Sequence, residues 1–496
     1  MAEGAPLLRE YGSKAHRGFK SHSLRQIFCN GRSMRTIFSL PNIISEFKYS
    51  IKLALPLIAT ELIYALNSFI ATIMVAYLGK EELAANALVW SIYLAITVFF
   101  IGILCATSTM VAHSFGAKDD VGISICFKQG LIMAIILALP MMLIMWGTPI
   151  VLVWTKQDPA VIRAAQPFFY SLIWVMLPLN VFVVIEQFLI GILKTRLVML
   201  LTLLSVPTGI FFSYAFLFGK FGLPKAGLAG VGFGWAVAYS LMAIYGICYV
   251  LFSKQLKKYS LFKQWWVVES KFLFEMIRIG LPMGFMWCSE LIFFAVVAIM
   301  MGVLGTTVLA AYQIASQYLM IALVVFFGLH QCVSIRVGNE VGKNSRDKLH
   351  LTLAVNMGIG LALISIFSIF YFIYPQAAIA LDIDINSPDF KAVALEAVKF
   401  LPIVGILLIS DCIRIVSAGA LRGLKDVNFQ LLISLFGFWG IAFPSAYLLA
   451  FKLGWGGVGI WWGIVIGLFV TGVMFLVRFN WLAKSADLAL LVTRKD

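Results

Sequence analysis

Charge is scarce in this sequence. Only 12% of its 496 residues are charged, whereas about 25% is usual for a soluble domain. Hydrophobic residues make up 61% of the chain, and its mean hydropathy is +0.96. This balance excludes a soluble globular protein and predicts a helical protein that crosses the lipid bilayer many times.

Paired cysteines and metal-binding motifs are also missing. The seven cysteines show no paired spacing, the five histidines are scattered, and neither HExxH nor CxxC occurs. We therefore expect no disulfide, no metal site and no cofactor. An intramembrane enzyme would need a nucleophile and a base or a set of metal ligands, and no His or Cys pairing suggests one. We expect the protein not to be an enzyme.

The basic residues lie in an N-terminal tail and in alternate short loops, and the formal net charge is +15. Cytoplasmic loops carry such an excess of Lys and Arg, so we expect both termini to be cytoplasmic and no nucleic acid to bind. No apolar segment precedes the first span, which excludes a secretory signal. The tail, residues 1–47, is expected to be flexible and to lie near anionic lipid. An Arg- and Ser-rich targeting peptide is the alternative.

Long apolar runs dominate the rest of the chain and predict an all-α membrane protein. Twelve runs are long enough to span a bilayer: roughly 50–78, 88–115, 123–147, 165–191, 197–219, 228–252, 275–304, 309–335, 352–374, 393–421, 427–451 and 457–482. We expect an N-terminal lobe at 48–252 and a C-terminal lobe at 275–483. An interfacial linker at 253–274, which contains Trp265, and a cytoplasmic tail at 484–496 complete the chain.

The two halves repeat each other. At a constant offset of 226 residues, Pro56 falls on Pro282 and Gly79 on Gly305, whereas Tyr64 falls on Glu290. Each half holds six spans, so both have the same topology and form two pseudo-symmetric six-helix bundles. Parallel repeats of this kind are related by an axis along the membrane normal, with a transport cavity between them.

Several motifs resemble those of the MATE (multidrug and toxic compound extrusion) transporter family. They are the LP that opens spans one and seven, YLGKEELAA, the paired loops VAHSFGAKDD and IRVGNEVGKNSRD, and SAGALRGLKD at the end of span ten. The resemblance covers residues 45 to 482 and implies two six-helix lobes around a V-shaped cavity, the MATE/MOP-type fold.

The same resemblance implies alternating-access export of organic cations or other amphipathic compounds in exchange for H⁺ or Na⁺. We expect a monomer in the plasma membrane or the bacterial inner membrane. A related flippase for a lipid-linked precursor is the alternative function. A channel is a further possibility, but two equivalent lobes suit a rocking motion better than a fixed pore.

Two acids are the candidates for ion coupling. Glu290, eight residues after Pro282, and Asp411, within span ten, match the family's acidic positions. Counted from the inner ends of their spans, they lie about 18 Å and 16 Å deep. At one depth, two carboxylates could share a proton or hold a hard cation. Alternatively, each makes a satisfied polar contact between helices, and Arg414 could pair with Asp411 as its i,i+3 neighbour.

The N-terminal lobe departs from the family's sodium-site pattern. Ala71 stands where some members carry an aspartate, so an ion site there is in doubt. Glu61 and Glu186 could attract a cationic substrate or form hydrogen bonds within the lobe. The remaining candidates fall into two groups. The polar candidates for a substrate site or polar network are Asn180, Gln187, Gln313 and Arg414. The aromatic candidates for a drug cavity, with packing or lipid contact as the alternative, are Trp287, Phe293, Phe294 and Tyr312.

Overall fold

The computed structural model describes residues 38–154, 158–263, 266–383 and 390–492. Within these ranges it contains twelve helices that are long and apolar enough to cross a membrane. They are α1 Leu40–Ala76, α2 Lys80–Gly116, α3 Asp120–Trp154, α4 Pro159–Gly191, α5 Thr195–Phe218, α6 Ala229–Phe252, α7 Ser270–Val303, α8 Thr306–Gly342, α9 Arg346–Ile373, α10 Lys391–Gly423, α11 Val427–Lys452 and α12 Gly456–Ser485.

The internal repeat is visible in the backbone of the turns. Gly79 and Gly305, which precede α2 and α8, have φ angles of +142° and +128°. Lys118 and Asn344, which follow the same two helices, have φ angles of +57° and +56°. Both pairs are separated by 226 residues. Glycine adopts such φ angles readily, which explains why it recurs at the first of these turns.

The helices form two lobes, α1–α6 and α7–α12. In the first lobe α4 packs against α2, α3 and α6, and in the second lobe the equivalent α10 packs against α8, α9 and α12. The prediction of an all-α protein with twelve membrane helices in two six-helix bundles is therefore confirmed.

The two lobes meet at one end of the molecule, which we call the junction end. It holds the loops at 117–119, 192–194, 343–345 and 424–426 and the described linker residues 253–263 and 266–269. A side chain would not fit between the lobes here, because a Cβ at Gly342 would clash with the backbone of α2, and one at Gly328 would lie 2.7 Å from the backbone nitrogen of Ile58. In the part of the chain that is described, the hydrogen bonds and ion pairs between lobes run from this end to about the middle of α7.

Three predicted boundaries are corrected by the structure. α1 begins at Leu40, and Glu46 is buried, so residues 40–47 belong to the first lobe and not to a tail. α7 begins at Ser270, which shortens the linker to 253–269. The segment after α12 is not wholly a free tail, because Leu488–Leu491 is helical and Leu488 is buried. Residues 1–37 of the predicted tail, residues 493–496 and Trp265 lie outside the described ranges.

Candidate functional site

The two candidate coupling acids lie on either side of one arginine in the C-terminal lobe. Arg414 Nε donates to Asp411 Oδ1 at 2.6 Å. Its Nη2 donates to Glu290 Oε1 at 2.8 Å and its Nη1 to Glu290 Oε2 at 3.3 Å. We call these three residues the coupling triad. Because it contains two carboxylates and one guanidinium, it carries one net negative charge when both acids are ionised.

Helix geometry places each member of the coupling triad. Asp411 and Arg414 are three residues apart on α10 and therefore share a face of the helix. Glu290 reaches them from α7. The side chains of Asp411 and Arg414 are 3% and 5% exposed, whereas that of Glu290 is 24% exposed. Glu290 is therefore the more accessible of the two acids, whereas Asp411 is enclosed by protein and binds the arginine.

Arg414 occupies the acceptor oxygens of both acids. Arg414 already donates to both Glu290 oxygens and to one Asp411 oxygen. Its guanidinium carbon lies 5.3 Å from the centre of the Phe438 ring, in cation–π contact. A metal ion would have to displace this guanidinium. A proton on Glu290 would instead neutralise one carboxylate and leave the Arg414–Asp411 pair intact.

A second acidic cluster lies in the N-terminal lobe. Tyr64 on α1 donates its hydroxyl hydrogen to Glu186 Oε2 on α4 at 3.4 Å. Glu61, one turn before Tyr64, is close enough for its charge to interact with that of Glu186. Glu186 is buried and Glu61 is half-buried. Tyr64, the repeat counterpart of Glu290, is therefore the hydrogen-bond partner of an acid rather than an acid itself.

The other predicted polar residues are dispersed. Asn180 is buried in the first lobe, where its Nδ2 donates to the carbonyl oxygen of Ala134 at 3.2 Å. Gln187 is buried beside Glu186, and its Oε1 accepts no hydrogen bond from the described residues. Gln313 is exposed on α8. The structure does not bring these three side chains into the coupling triad.

The predicted aromatic residues mostly pack inside the second lobe. Phe293 is fully buried, and the centre of its ring is 5.0 Å from that of Phe438. Tyr312 is buried, with its ring 5.6 Å from that of Trp461 and its hydroxyl donating to the carbonyl oxygen of Phe294 at 3.5 Å. Phe294 and Trp287 are half-buried.

Sequence reasoning missed an ion pair between the lobes. Arg336, predicted to lie in a loop, is 4% exposed within α8 and forms a bidentate pair with Glu46 of α1, at distances of 2.6 to 3.0 Å. Arg422 of α10 donates to the carbonyl oxygen of Cys105 at 2.6 Å and to Ser108 Oγ at 3.0 Å, where α2 is interrupted. We call Glu46, Arg336 and Arg422 the junction latch.

The loop at 424–426 contributes one more buried charge near the junction latch. Lys425 Nζ lies 3.3 Å from Glu275 Oε1, and the lysine side chain is 5% exposed. Burial lowers the pKa of the Lys425 ammonium, an effect that the nearby Glu275 carboxylate partly offsets. The junction end therefore contains buried arginine and lysine side chains, each held by an acid or a carbonyl of a neighbouring helix.

Two pseudo-equivalent six-helix lobes, joined at one end and holding acids within the membrane helices, form an architecture that is typical of membrane transporters. The MatE family model matches residues 56–215 and 282–448, one match in each lobe. The chain belongs to this family.

Known proteins of the family resemble the chain over most of its length. A probable multidrug resistance protein NorM from Pseudomonas aeruginosa is 32% identical over 450 residues, covering 91% of this chain and 92% of that one. A protein of the same name from Pseudomonas putida is 33% identical over 440 residues, covering 89% and 95%. The crystal structure of a MATE in the bent conformation superposes with a TM-score of 0.81 at 18% identity, over 93% of this chain and 99% of that one.

Proposed function

We propose that this protein is a proton-coupled antiporter that exports organic cations or other amphipathic compounds by alternating access. The observation that carries the proposal is the coupling triad, in which the partly exposed Glu290 can exchange its arginine partner for a proton. The names of the bacterial relatives support drug export as the activity.

Charge explains how one site can exchange a proton for an organic cation. With both acids ionised, the coupling triad has a net charge of −1 and attracts a cation, and the low dielectric constant of the membrane interior strengthens this attraction. A proton on Glu290 makes the triad neutral and removes that attraction. The two ligands therefore compete, and competition for one site gives antiport when the site faces opposite sides in turn and the lobes rearrange only with a ligand bound.

α7 connects the coupling triad to the contact between the lobes. Gly284 and Gly280, six and ten residues before Glu290, pack directly on the backbone of α2. The first of these contacts lies about 9 Å along the helix from the acid. When a proton releases Glu290 from Arg414, α7 gains freedom relative to α10 at one end while it remains packed on α2 at the other. A change of state at Glu290 can thus favour a different lobe arrangement, provided that the two arrangements bind the proton with different affinity.

We further propose that the junction end is cytoplasmic and that the protein lies in the plasma membrane. The support is the excess of Lys and Arg in the loops at this end. The lobes are then closed toward the cytoplasm in this structure. A flippase for a lipid-linked precursor gains no support from the coupling triad, because a net negative site repels the phosphates of such a substrate.

Efflux from proteoliposomes tests this function. Purified protein is reconstituted with ethidium, an organic cation, and efflux is measured under a proton gradient and separately under a sodium gradient. We expect the proton gradient alone to drive export, and Glu290→Gln to reduce export to near background because the amide cannot be protonated at this position. The matched control is Glu396→Gln, which removes a partly exposed acid paired with Lys399 on the same α10 that carries Arg414. Full activity of Glu290→Gln, or export driven only by sodium, would contradict the proposal.

A further inference from the structure

α11 changes its hydrogen bonding beside the coupling triad. Of two π-helical segments in α11, the one beside the triad, Phe436–Ala442, lies between two α-helical parts, and the other, Leu448–Lys452, ends the helix. A π-turn takes one more residue per turn than an α-helix and is rare, and it occurs often at functional sites. Such a segment changes the direction of the side chains on one side of it relative to those on the other.

The packing of α11 on α12 shows the extra residue directly. α12 presents Gly459, Gly463, Gly467 and Thr471, each four residues after the last. They face Ala450, Ala446, Ala442 and Gly437 of α11, in that order. The spacing on α11 is four, four and then five residues. The additional residue falls within the π-helical segment, so close packing of small residues holds α11 in register on both sides of it.

The π-helical segment presents two consecutive aromatic rings to α7 and α10. Trp439 Nε1 donates to Ser289 Oγ at 2.9 Å, and Ser289 is the residue before Glu290. Phe438 lies beneath the Arg414 guanidinium. Phe293, one turn after Ser289, lies against both rings, with centres 5.0 Å and 6.0 Å away. α11 therefore contacts Arg414 directly and, on α7, the residue next to Glu290.

We propose that Trp439 is a positioning residue for proton coupling, which fixes Glu290 against Arg414 through its hydrogen bond to Ser289. This inference depends on the proposed function and extends it to a helix that contributes no acid. The ring of Phe438 holds the guanidinium from α10, and the indole of Trp439 holds the backbone of α7 that carries the carboxylate.

The charged groups that act on Glu290 among the described residues are Arg414 and Asp411 of α10. The contribution of α11 is geometric, because Phe438 and Trp439 carry no charge. Loss of the Trp439–Ser289 hydrogen bond lets the carboxylate move away from Arg414, so a proton competes for Glu290 at higher pH. One neutral hydrogen bond corresponds to a shift on the order of half to one pH unit in the midpoint of transport.

The test is a double-mutant cycle on the pH profile of efflux. Ser289→Ala, Trp439→Phe and the double variant are reconstituted, and the pH of half-maximal proton-driven ethidium efflux is measured for each. We expect each single variant to raise this midpoint, the double variant to raise it no further, and the apparent KM for ethidium at a pH well above the midpoint, where no proton competes, to change by less than about twofold. The matched control is Trp455→Phe, whose ring is exposed between α11 and α12.

The outcomes separate this inference from the proposed function. If the wild-type protein shows no proton-driven efflux, the proposed function fails. If it shows such efflux but both single variants keep the wild-type midpoint, or if the two shifts add in the double variant, the positioning role is wrong. Should Trp439→Phe fail to insert, Ser289→Ala decides alone, because it removes the same hydrogen bond without changing α11.

Discussion

Arg414 is the residue on which the charge balance of the second lobe depends. It donates to Asp411 and Glu290 at 2.6 and 2.8 Å, and all three groups lie within the membrane helices. Burial of two carboxylates without the guanidinium would be strongly unfavourable, since each ion loses its hydration. The arginine therefore offsets the charge of two neighbouring acids, and it donates to both of them.

Removal of Arg414 should destabilise the protein more than removal of either acid. Arg414→Gln leaves two carboxylates without a cation, and we expect a loss of about 3–5 kcal/mol in the free energy of unfolding. Asp411→Asn should cost only about 1 kcal/mol, because the amide oxygen can still accept from Arg414 Nε and Glu290 keeps its pair. Thermal unfolding of the detergent-solubilised variants measures the difference. Equal melting temperatures for Arg414→Gln and the wild type would refute the ion-pair role.

α1 shows how an element can begin earlier than its apolar run. Residues 40–47 are too polar to be counted as a span, yet they are helical and place Glu46 against Arg336 of the other lobe. Ser50 and Asn356 extend this contact, with the asparagine Nδ2 donating to the serine Oγ at 3.1 Å. The first turns of α1 thus form part of the junction, and we expect changes in them to affect how tightly the two lobes close.

Loss of Glu46 should open the junction end. Cys332 is a natural reporter, because its thiol is fully buried beside the carbonyl oxygen of Ser50. In a protein whose other cysteines are replaced by alanine, we expect Glu46→Gln and deletion of residues 2–47 to speed maleimide labelling of Cys332 roughly ten- to hundredfold. Deletion of residues 2–37, which keeps Glu46, is the control and should label at the parent rate. Unchanged labelling after loss of Glu46 would show that this ion pair does not hold the lobes together.

The elements could be predicted from the sequence much better than their contacts. Twelve apolar runs had to become helices, since lipid leaves backbone groups no other partners. The pairing of Asp411 with Arg414 could be predicted from the sequence because both residues lie on one helix, three positions apart. Glu290 is 124 residues from Arg414, and Glu46 is 290 residues from Arg336. Each of these two pairs forms only if both helices are rotated so that the charged side chains face each other. A helix that is apolar on all sides gives no pattern from which that rotation can be predicted.

The π-helical segment of α11 was beyond sequence reasoning for a related reason. Phe436–Ala442 is apolar in every direction, so one extra residue in the turn changes no hydrophobic pattern. Only the spacing of the small residues that face α12 reveals it. Local hydrogen bonding within a membrane helix is therefore determined here by its neighbour and not by the periodicity of its own residues.

At the scale of the whole molecule, glycines determine how closely the lobes approach. Gly102 and Gly284 face each other between α2 and α7, and Gly116 and Gly342 face each other between α2 and α8. The last two lie 226 residues apart and end equivalent helices. A contact between equivalent positions in the two repeats lies near their pseudo-symmetry axis, so both lobes must separate there when the junction end opens.

A methyl group at this position should prevent full closure. A Cβ at Gly342 would clash with the carbonyl oxygen of His113 and lie 2.9 Å from Gly116 Cα, so Gly342→Ala must push α2 and α8 apart. We expect faster maleimide labelling of Cys332 together with a several-fold loss of proton-driven efflux, because the closed state loses its closest contact. Gly358→Ala is the matched control, since it lies in α9 with nothing within 4 Å of the added methyl group. Wild-type labelling and efflux in Gly342→Ala would mean that the lobes tolerate the added volume and that closure does not require this contact.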